Sequence, residues 1–418
     1  MSVTTLRPLH TAFAALLVGA ITVACGVDSS ASGPTSPAAA LPEVTVAAPV
    51  AKPRDVPTFA WAIEEVDAGI RPALALRSDD VPFIVYMREG SPPWDRQGNK
   101  DGAVKNAVRN ESAWDVTTIT VGNVWGPLDM AMGPDDVAHV SYYHDREAVL
   151  NDLAYAVLRG GQWETDTTFD SGHAGFGYMI AIGPNGRPHT SAPNPWGVSA
   201  IEYNALDHSG KWVIEDIDSG PQNRRDATSI AIDPLGNPHV SYLDKQFENL
   251  ALASRSEAGW NVDIVDEERS SGRFSSLLID ETGRFHISYL QSTGTTTSTG
   301  VVKYATIGVD DSEWEIRQVG TLEDLSFAWP GPRRFTSLVV DREHNPWIAY
   351  SDEKALSLAV WDGSSWQTQT VVNAGEGTFG QRVYLKLDSN GHPHLAYFEV
   401  TTSEPLRGMV KYAKGTPR

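Results

Sequence analysis

The chain has 418 residues, a formal net charge of −20 at pH 7 and a single cysteine. This charge argues against nucleic acid or anionic lipid as the principal partner, because binding to phosphates requires clustered Lys and Arg side chains. One cysteine excludes an internal disulfide, so the apolar core must hold the fold together.

Residues 1–24 have the features of an export signal. Arg7 supplies a positive charge, residues 12–23 form an apolar run, and Ala24 is a small residue ahead of Cys25. The run is shorter than the ~20 residues that a membrane-spanning helix needs, so we expect the signal to be removed. The segment "TVAC" is similar to the cleavage box of bacterial lipoproteins, which implies lipidation of Cys25. The protein is then exported and anchored by lipid at the cell envelope, or secreted if the signal is an ordinary one.

Residues 25–57 are rich in Ala, Pro and Ser and show no sustained apolar period. Such a composition buries too little surface to offset the chain entropy, so it predicts a disordered tether. Residues 58–418 contain no second linker and are expected to form one domain.

Two motifs recur seven times in this domain. The first is an alternating segment that starts at Pro82, Ala138, Pro188, Pro238, Phe285, Pro346 and Pro393, as in "PFIVY" and "PHVSY". The second is a tryptophan followed by alternating residues, at Trp114, Trp163, Trp212, Trp260, Trp314, Trp366 and, ahead of the first repeat, Trp61. Repeats at intervals of about fifty residues indicate a repeat architecture.

Each repeat contains four short alternating segments separated by turns, with no helical period. This pattern predicts an all-β fold, a seven-bladed β-propeller of four-stranded antiparallel blades around a channel. The displaced Trp61 predicts that residues 59–66 form the outermost strand of the last blade, beside residues 408–415. That pairing closes the ring without leaving an open sheet edge.

The repeated unit D-x-x-G-x-P-H-x-S-Y resembles that of bacterial exported propeller proteins near the sialidase and Asp-box superfamily. The resemblance covers all seven units and implies the fold. It implies no activity, because the sialidase Asp-box S-x-D-x-G-x-x-W is not present in the sequence.

Five histidines occupy one equivalent position per repeat: His139, His189, His239, His286 and His394. Ring symmetry spreads them around the molecule, so they are not expected to converge on a metal ion, and no cofactor is predicted. Gly133 and Gly183 replace the turn aspartate in two of these repeats. We therefore expect aspartate and histidine to act separately, the first in the turn and the second at a blade interface.

Ligands of propellers usually lie at the channel mouth, where the innermost strands begin. Five repeats carry an arginine there: Arg71, Arg225, Arg273, Arg334 and Arg382. Such a ring predicts a funnel for carboxylates, sulfates or phosphates. Acids at the ends of the neighbouring strands favour the alternative of internal ion pairs with four of the arginines: Glu89 with Arg71, Asp244 with Arg225, Asp352 with Arg334 and Glu399 with Arg382. Arg273 faces the neutral Gln291, which makes it the strongest candidate for binding an anion.

Aromatic residues lie in the long loops expected on the same face, including His173, Trp329 and Phe379. They are suited either to stacking on sugar rings or to capping the core. The sequence therefore favours a non-catalytic surface protein that binds an extracellular, acidic glycan or a protein partner. A glycoside hydrolase or lyase using rim carboxylates and an envelope interaction scaffold are the alternatives, since no catalytic pair stands out.

Overall fold

The computed structural model describes residues 53–88, 101–124, 126, 128–146, 150–166, 179–193, 201–218, 227–244, 248–293, 299–323, 336–352, 355–373, 378–379, 382–403 and 406–418. The predicted export signal, Cys25 and most of the tether lie outside these residues. The described residues form strands and turns, and none of their segments is a helix of the length and apolar composition needed to cross a bilayer.

Seven antiparallel sheets are formed, six of them from consecutive strands. The chain begins with β1 (Phe59–Ala68). Blade 1 consists of β2 (Ile70–Leu76), β3 (Pro82–Arg88), β4 (Gly102–Arg109) and β5 (Trp114–Gly122). Blade 2 consists of β6 (Asp129–Met132), β7 (Ala138–Arg146), β8 (Leu150–Arg159) and β9 (Gln162–Asp166). Blade 3 consists of β10 (Met179–Ile182), β11 (Pro188–Pro193), β12 (Ile201–Leu206) and β13 (Trp212–Asp218).

Blade 4 consists of β14 (Ser229–Ile232), β15 (Pro238–Asp244), β16 (Asn249–Ser256) and β17 (Gly259–Asp266). Blade 5 consists of β18 (Ser271–Ile279), β19 (Phe285–Ser292), β20 (Thr299–Ile307) and β21 (Glu315–Glu323). Blade 6 consists of β22 (Ser337–Val340), β23 (Pro346–Ser351), β24 (Ala355–Trp361) and β25 (Trp366–Asn373). Blade 7 contains β26 (Thr378–Phe379), β27 (Tyr384–Leu387), β28 (Pro393–Ser403) and β29 (Leu406–Pro417), and β1 is its outermost strand.

The innermost strand of each blade contacts that of the next, and β27 contacts β2, so the seven blades form a closed ring. The predicted seven-bladed β-propeller is confirmed. The closing strand pair is also confirmed: β1 pairs with β29 from Phe59 opposite Pro417 to Ala68 opposite Met409. The short β26 adds a fifth strand to this last sheet by pairing with an extension of β28.

Neighbouring blades stack through opposite faces of their sheets, as the alternation of small polar and large apolar residues predicts. In blade 4, the Ser241 hydroxyl lies 2.8 Å from that of Ser275 in blade 5. On the other face, the Tyr242 hydroxyl donates to Asp218 of blade 3 at 3.0 Å. Buried apolar side chains fill the space between these polar contacts. The core is therefore a series of layers between blades, and the channel is lined by the innermost strands.

The turn aspartate and the histidine of a repeat are bonded to each other, which corrects the expectation that they act separately. In blade 5, the turn amides of Thr282 and Arg284 donate to one Asp280 oxygen. The other oxygen accepts from His286 Nε2 at 3.3 Å, and Tyr304 donates to His286 Nδ1 at 2.6 Å. Blades 4 and 7 contain the same Asp–His bond. Aspartate thus organises the turn and orients the histidine at once.

Three hairpins that join the first two strands of a blade have a non-glycine residue in the left-handed region. Asp80, Asp136 and His344 have φ angles of 63°, 60° and 62°, where four other blades carry glycine. Each of these side chains bonds the hairpin of the preceding blade: Asp80 accepts from Ser389, Asp136 from Ser78, and His344 contacts Asp280 at 2.9 Å. The backbone strain at these positions is offset by contacts between blades.

Blade 3 departs from the repeat at its interface with blade 2. Ala192 stands where each of the six other second strands carries a tyrosine, and Tyr143 of blade 2 packs into the space. Glu202 pairs with Ala192 across the sheet and is only 2% exposed. Burial, with a smaller contribution from Asp216, raises the pKa of Glu202 to about 7 from an ordinary value of 4.5. The charged form of Glu202 therefore destabilises the fold.

Glu202→Gln is expected to stabilise the protein at pH 8 and to have little effect at pH 4.5. A carboxyl whose folded-state pKa is raised loses stability as pH rises from its unfolded to its folded pKa, here from 4.5 to about 7. The gain at pH 8 is on the order of 2 kcal/mol. Urea unfolding at both pH values measures it, with the exposed Glu164→Gln as the control. An equal effect of Glu202→Gln at both pH values would contradict the assignment.

The end of the predicted tether lies against blade 6. Arg54 forms an ion pair with Asp341 at 2.8 Å, and its backbone amide donates to Asp362. Val56 packs against the cluster that contains Trp347. These contacts lie on the face of the ring that carries the first hairpin of each blade, which we call the hairpin face.

Candidate binding site at the channel mouth

The mouth face is the face opposite the hairpin face, where the innermost strands begin and the second strands end. The antiparallel order of each blade places the start of β18 beside the end of β19, with Ser271 opposite Gln291. The predicted arginine and acid positions therefore share this face. Four of the predicted mouth residues lie outside the described residues: Arg225, Arg334, His173 and Trp329.

Arg71 lies at the start of blade 1 and reaches blade 2. Its φ of 55° belongs to the left-handed region, at a bulge where β2 shifts register against β3. Its guanidinium donates to the carbonyl of Gly126 at 3.3 Å, and the side chain is half-buried. Its predicted partner, Glu89, lies outside the described residues. Arg71 thus bridges two blades at the rim of the channel.

Arg273 lies in a second bulge, between Ser271 and Ser276 of β18. The preceding Gly272 has a φ of 102°, and a Cβ there would lie 2.7 Å from the Cα of Leu250. Glycine therefore lets the start of blade 5 approach blade 4 closely, and this contact positions the half-buried Arg273. Glu248 lies nearby: a hydrogen bond from Arg269 is the main cause that lowers its pKa, and the charge of Arg273 makes a smaller contribution in the same direction.

The mouth between blades 4 and 5 is a dense polar surface. Lys303 donates to Asp266 and to Glu268, each at 2.9 Å, and Gln291 donates to Glu268 at 2.8 Å. Arg269, with 84% of its side chain exposed, pairs with Glu248 at 2.9 Å. This surface presents positive and negative groups in alternation beside Arg273.

Arg382 is directed into the ring and is only 2% exposed. Its guanidinium donates to the carbonyl of Leu128 in blade 2 and to the Tyr384 hydroxyl, and it contacts the Met179 sulfur of blade 3 at 3.3 Å. Glu399, the acid expected to pair with it, lies 3.6 Å from Lys411 instead. Arg382 therefore bridges blades inside the mouth, and the three arginines that the structure describes are not uniformly exposed.

Tyr384 completes this bridge to blade 2. Its hydroxyl donates to Asp129 at 2.6 Å, and the second oxygen of Asp129 accepts the amide of Ile180 at 3.0 Å. Tyr384 packs against the cluster containing Ala73 of blade 1, whose small side chain leaves room for it to pass. Burial raises the pKa of Asp129, while the positive charge of Arg382 opposes this change.

Asp129, Tyr384 and Lys386 were not among the residues predicted for the site. Comparison of the repeats could have found them, because Asp129 and Tyr384 occupy a position where three other innermost strands carry serine, at Ser229, Ser276 and Ser337. Lys386 occupies the position paired with the repeated histidine, where the other six blades have an apolar residue. These departures from the repeat concentrate charge in the channel.

The predicted rim acids have local contacts of their own. Asp244 is buried at the end of β15, opposite Asn249. Asp352 accepts the amide of Ala355 at 2.6 Å and so caps the turn into β24. The aromatic Phe379 is 2% exposed and packs on Tyr397 with ring centroids 5.6 Å apart, so it caps the core.

The described residues contain no group of three or more His, Cys, Asp or Glu side chains placed to hold a metal ion. The five histidines lie at separate blade interfaces. Burial lowers the pKa of His139 and of His189 to about 4, so both are neutral at pH 7.

The fold is shared with solved propellers at low sequence identity. No protein-family model matches the sequence, and no curated protein matches it. An ulvan lyase bound to -[GlcA(1-4)Rha3S]- is 13% identical, with a TM-score of 0.51 over 83% of this chain and 94% of its own. The SapL1 lectin in complex with alpha methyl fucoside is 15% identical, with a TM-score of 0.45 over 74% of this chain and 97% of its own. A Trypanosoma rangeli sialidase in complex with sialic acid is 8% identical, with a TM-score of 0.40 over 84% of this chain and 54% of its own.

Proposed function

We propose that the protein is a non-catalytic propeller that binds an acidic extracellular glycan at the channel mouth. The observation that carries this proposal is the charge along the channel. Within the described innermost strands, the cations are Arg71, Arg273 and Lys386, and the single acid is Asp129; Arg382 lies two residues before β27. The exposed Glu267, Glu268 and Arg269 precede β18 on the mouth face. A positive channel in a chain of net charge −20 favours an anionic ligand.

The mouth offers the groups that an acidic sugar requires. Arg71 and Arg273 are half-buried and held by bulged backbone, so their guanidinium groups lose little freedom on binding. Carboxylates and sulfates accept two parallel hydrogen bonds from such a group. The neighbouring surface of Lys303, Glu268 and Gln291 supplies donors and acceptors for hydroxyl groups. The ulvan lyase carries a uronic acid and a sulfated sugar on the same fold, which supports testing that class of ligand first.

Binding of uronic-acid and sulfated oligosaccharides on a glycan array is the test. Arg71→Ala and Arg273→Ala are each expected to weaken binding by about tenfold or more, because a hydrogen bond to a charged group contributes about 1.5 to 3 kcal/mol. Arg159→Ala, whose partner Glu164 lies in the last hairpin of blade 2, is the matched control and should bind normally.

Equal binding of neutral and acidic glycans, or normal binding by both mouth variants, would overturn the proposal. Release of cleaved products from a bound glycan would favour the hydrolase or lyase alternative. The export signal and the lipid anchor at Cys25 stay predictions, tested by mass spectrometry of the mature N-terminus.

A further inference from the structure

Lys386 is the one charged residue at its level of the channel. The equivalent innermost-strand residues of the other six blades, all described, are Ala75, Ala131, Ala181, Ala231, Leu278 and Val339. Lys386 is partly exposed, so water reaches the channel at this level. Its ammonium makes no hydrogen bond or ion pair with any residue that the structure describes.

Asp129, whose charge raises the pKa of Lys386 against the effect of burial, also interacts with other groups. Asp129 uses one oxygen to accept from Tyr384 and the other to accept from Ile180, and the charge of Arg382 acts on the same carboxylate. Among the described residues around Lys386, the two cations and one carboxylate leave an excess positive charge. An ammonium that is partly removed from water, shares its counter-charge and makes no hydrogen bond to a described residue is costly.

We propose that the channel binds one compact anion, of halide or carboxylate size, beside Lys386. The apolar residues at this level leave the three ammonium donors as the groups that fix its position, and the anion balances the excess charge. Burial lowers the pKa of Lys386, and a bound anion opposes that change. The anion comes either from solution or from the acid group of a ligand that enters through the mouth.

Sodium bromide is the first probe, used with the full protein and without glycan. Crystals soaked in bromide are expected to show an anomalous peak within hydrogen-bond distance of Lys386 Nζ. In solution, bromide should raise the thermal midpoint saturably, at an ionic strength held constant with a bulky sulfonate salt. Lys386→Met should abolish both effects, since it leaves Arg382 and Asp129 balanced.

The matched control is Lys414→Met, a lysine of the same blade that pairs with Asp388 at 3.4 Å on the hairpin face. It should keep the bromide response, and so should Lys386→Arg, which retains the charge. An absent peak at Lys386, or an equal midpoint shift in the wild type and Lys386→Met, would overturn the proposal.

A second arm distinguishes the two sources of the anion. If a bound acidic glycan displaces bromide, the acid group of that glycan enters the site; if bromide stays, the anion is an independent resident ion. The bromide experiment requires no glycan, so a failure to bind glycans on the array would not contradict the anion site at Lys386. Glycan binding on the array without bromide at Lys386 would contradict the anion site in the channel and would leave the proposed glycan site at the mouth unaffected.

Discussion

A protein that begins at Gly69, and so lacks β1, loses its cooperative thermal transition or melts at least about 10 °C lower than one that begins at Pro53. The truncation removes the buried Phe59 and exposes the edge of β29. It also removes contacts with blade 1, where Glu64 accepts from Arg109 at 2.8 Å and from Trp114 at 3.0 Å. Loss of a core aromatic residue alone costs about 3 to 5 kcal/mol.

Differential scanning calorimetry of both proteins provides the measurement. A third protein, starting at Thr58, keeps β1 but lacks Arg54. It should melt only slightly below the longer one, because it loses only the contacts of residues 53–57 with blade 6, such as the Arg54–Asp341 ion pair. Equal midpoints for the proteins starting at Pro53 and Gly69 would show that β1 does not close the ring.

Arg382→Met lowers the free energy of unfolding by about 3 to 5 kcal/mol, the range found when one partner of a buried charge pair is removed. The substitution deletes the contacts to Leu128 and Tyr384 and leaves Asp129 buried without its cation. Arg159→Met on the exposed end of blade 2 should change stability by no more than about 0.5 kcal/mol.

A double-mutant cycle with Asp129→Asn separates the charge pair from the loss of packing. The double variant should be more stable than the sum of the single effects by about 1 to 3 kcal/mol. The loss of unfolding free energy caused by Arg382→Met should also be smaller at acid pH. Without the guanidinium, burial raises the pKa of Asp129 further, so its destabilising charge disappears as pH falls through that raised pKa. If the effects of Arg382→Met and Asp129→Asn on the free energy of unfolding are additive, and the effect of Arg382→Met does not depend on pH, Arg382 and Asp129 do not act as a charge pair.

The architecture could be predicted because a period of about fifty residues appears twice, in independent motifs. Trp61, displaced from its repeat, was sufficient to predict the strand that closes the ring. The contacts between blades were harder to predict from the sequence. Nothing in the local spacing indicates that Arg382 extends into the ring to blades 2 and 3, because the groups that it contacts there are about 200 to 250 residues away in the sequence.

The hairpin contacts show a second limit of repeat comparison. Asp80 and Asp136 look like ordinary turn residues, yet each stands where other blades carry a glycine and bonds the preceding hairpin. The replacement of this glycine in the repeat was the one sign in the sequence that these turn residues make contacts of their own. Likewise, repeats that lack the turn aspartate suggested that aspartate and histidine are independent, although they bond in blades 4, 5 and 7, where both are present.

The pairing of β1 with β29 has a consequence for the order of folding. Blades 1 to 6 are each built from contiguous sequence, so each of their strand pairs joins segments that are close in the sequence. Blade 7 must join residues as distant as Ala60 and Thr416, which are 356 positions apart. During synthesis from the N-terminus, β1 has no native sheet partner until β29 has been made. Ring closure is therefore the slow, long-range step, and β1 is the edge most in need of protection before it occurs.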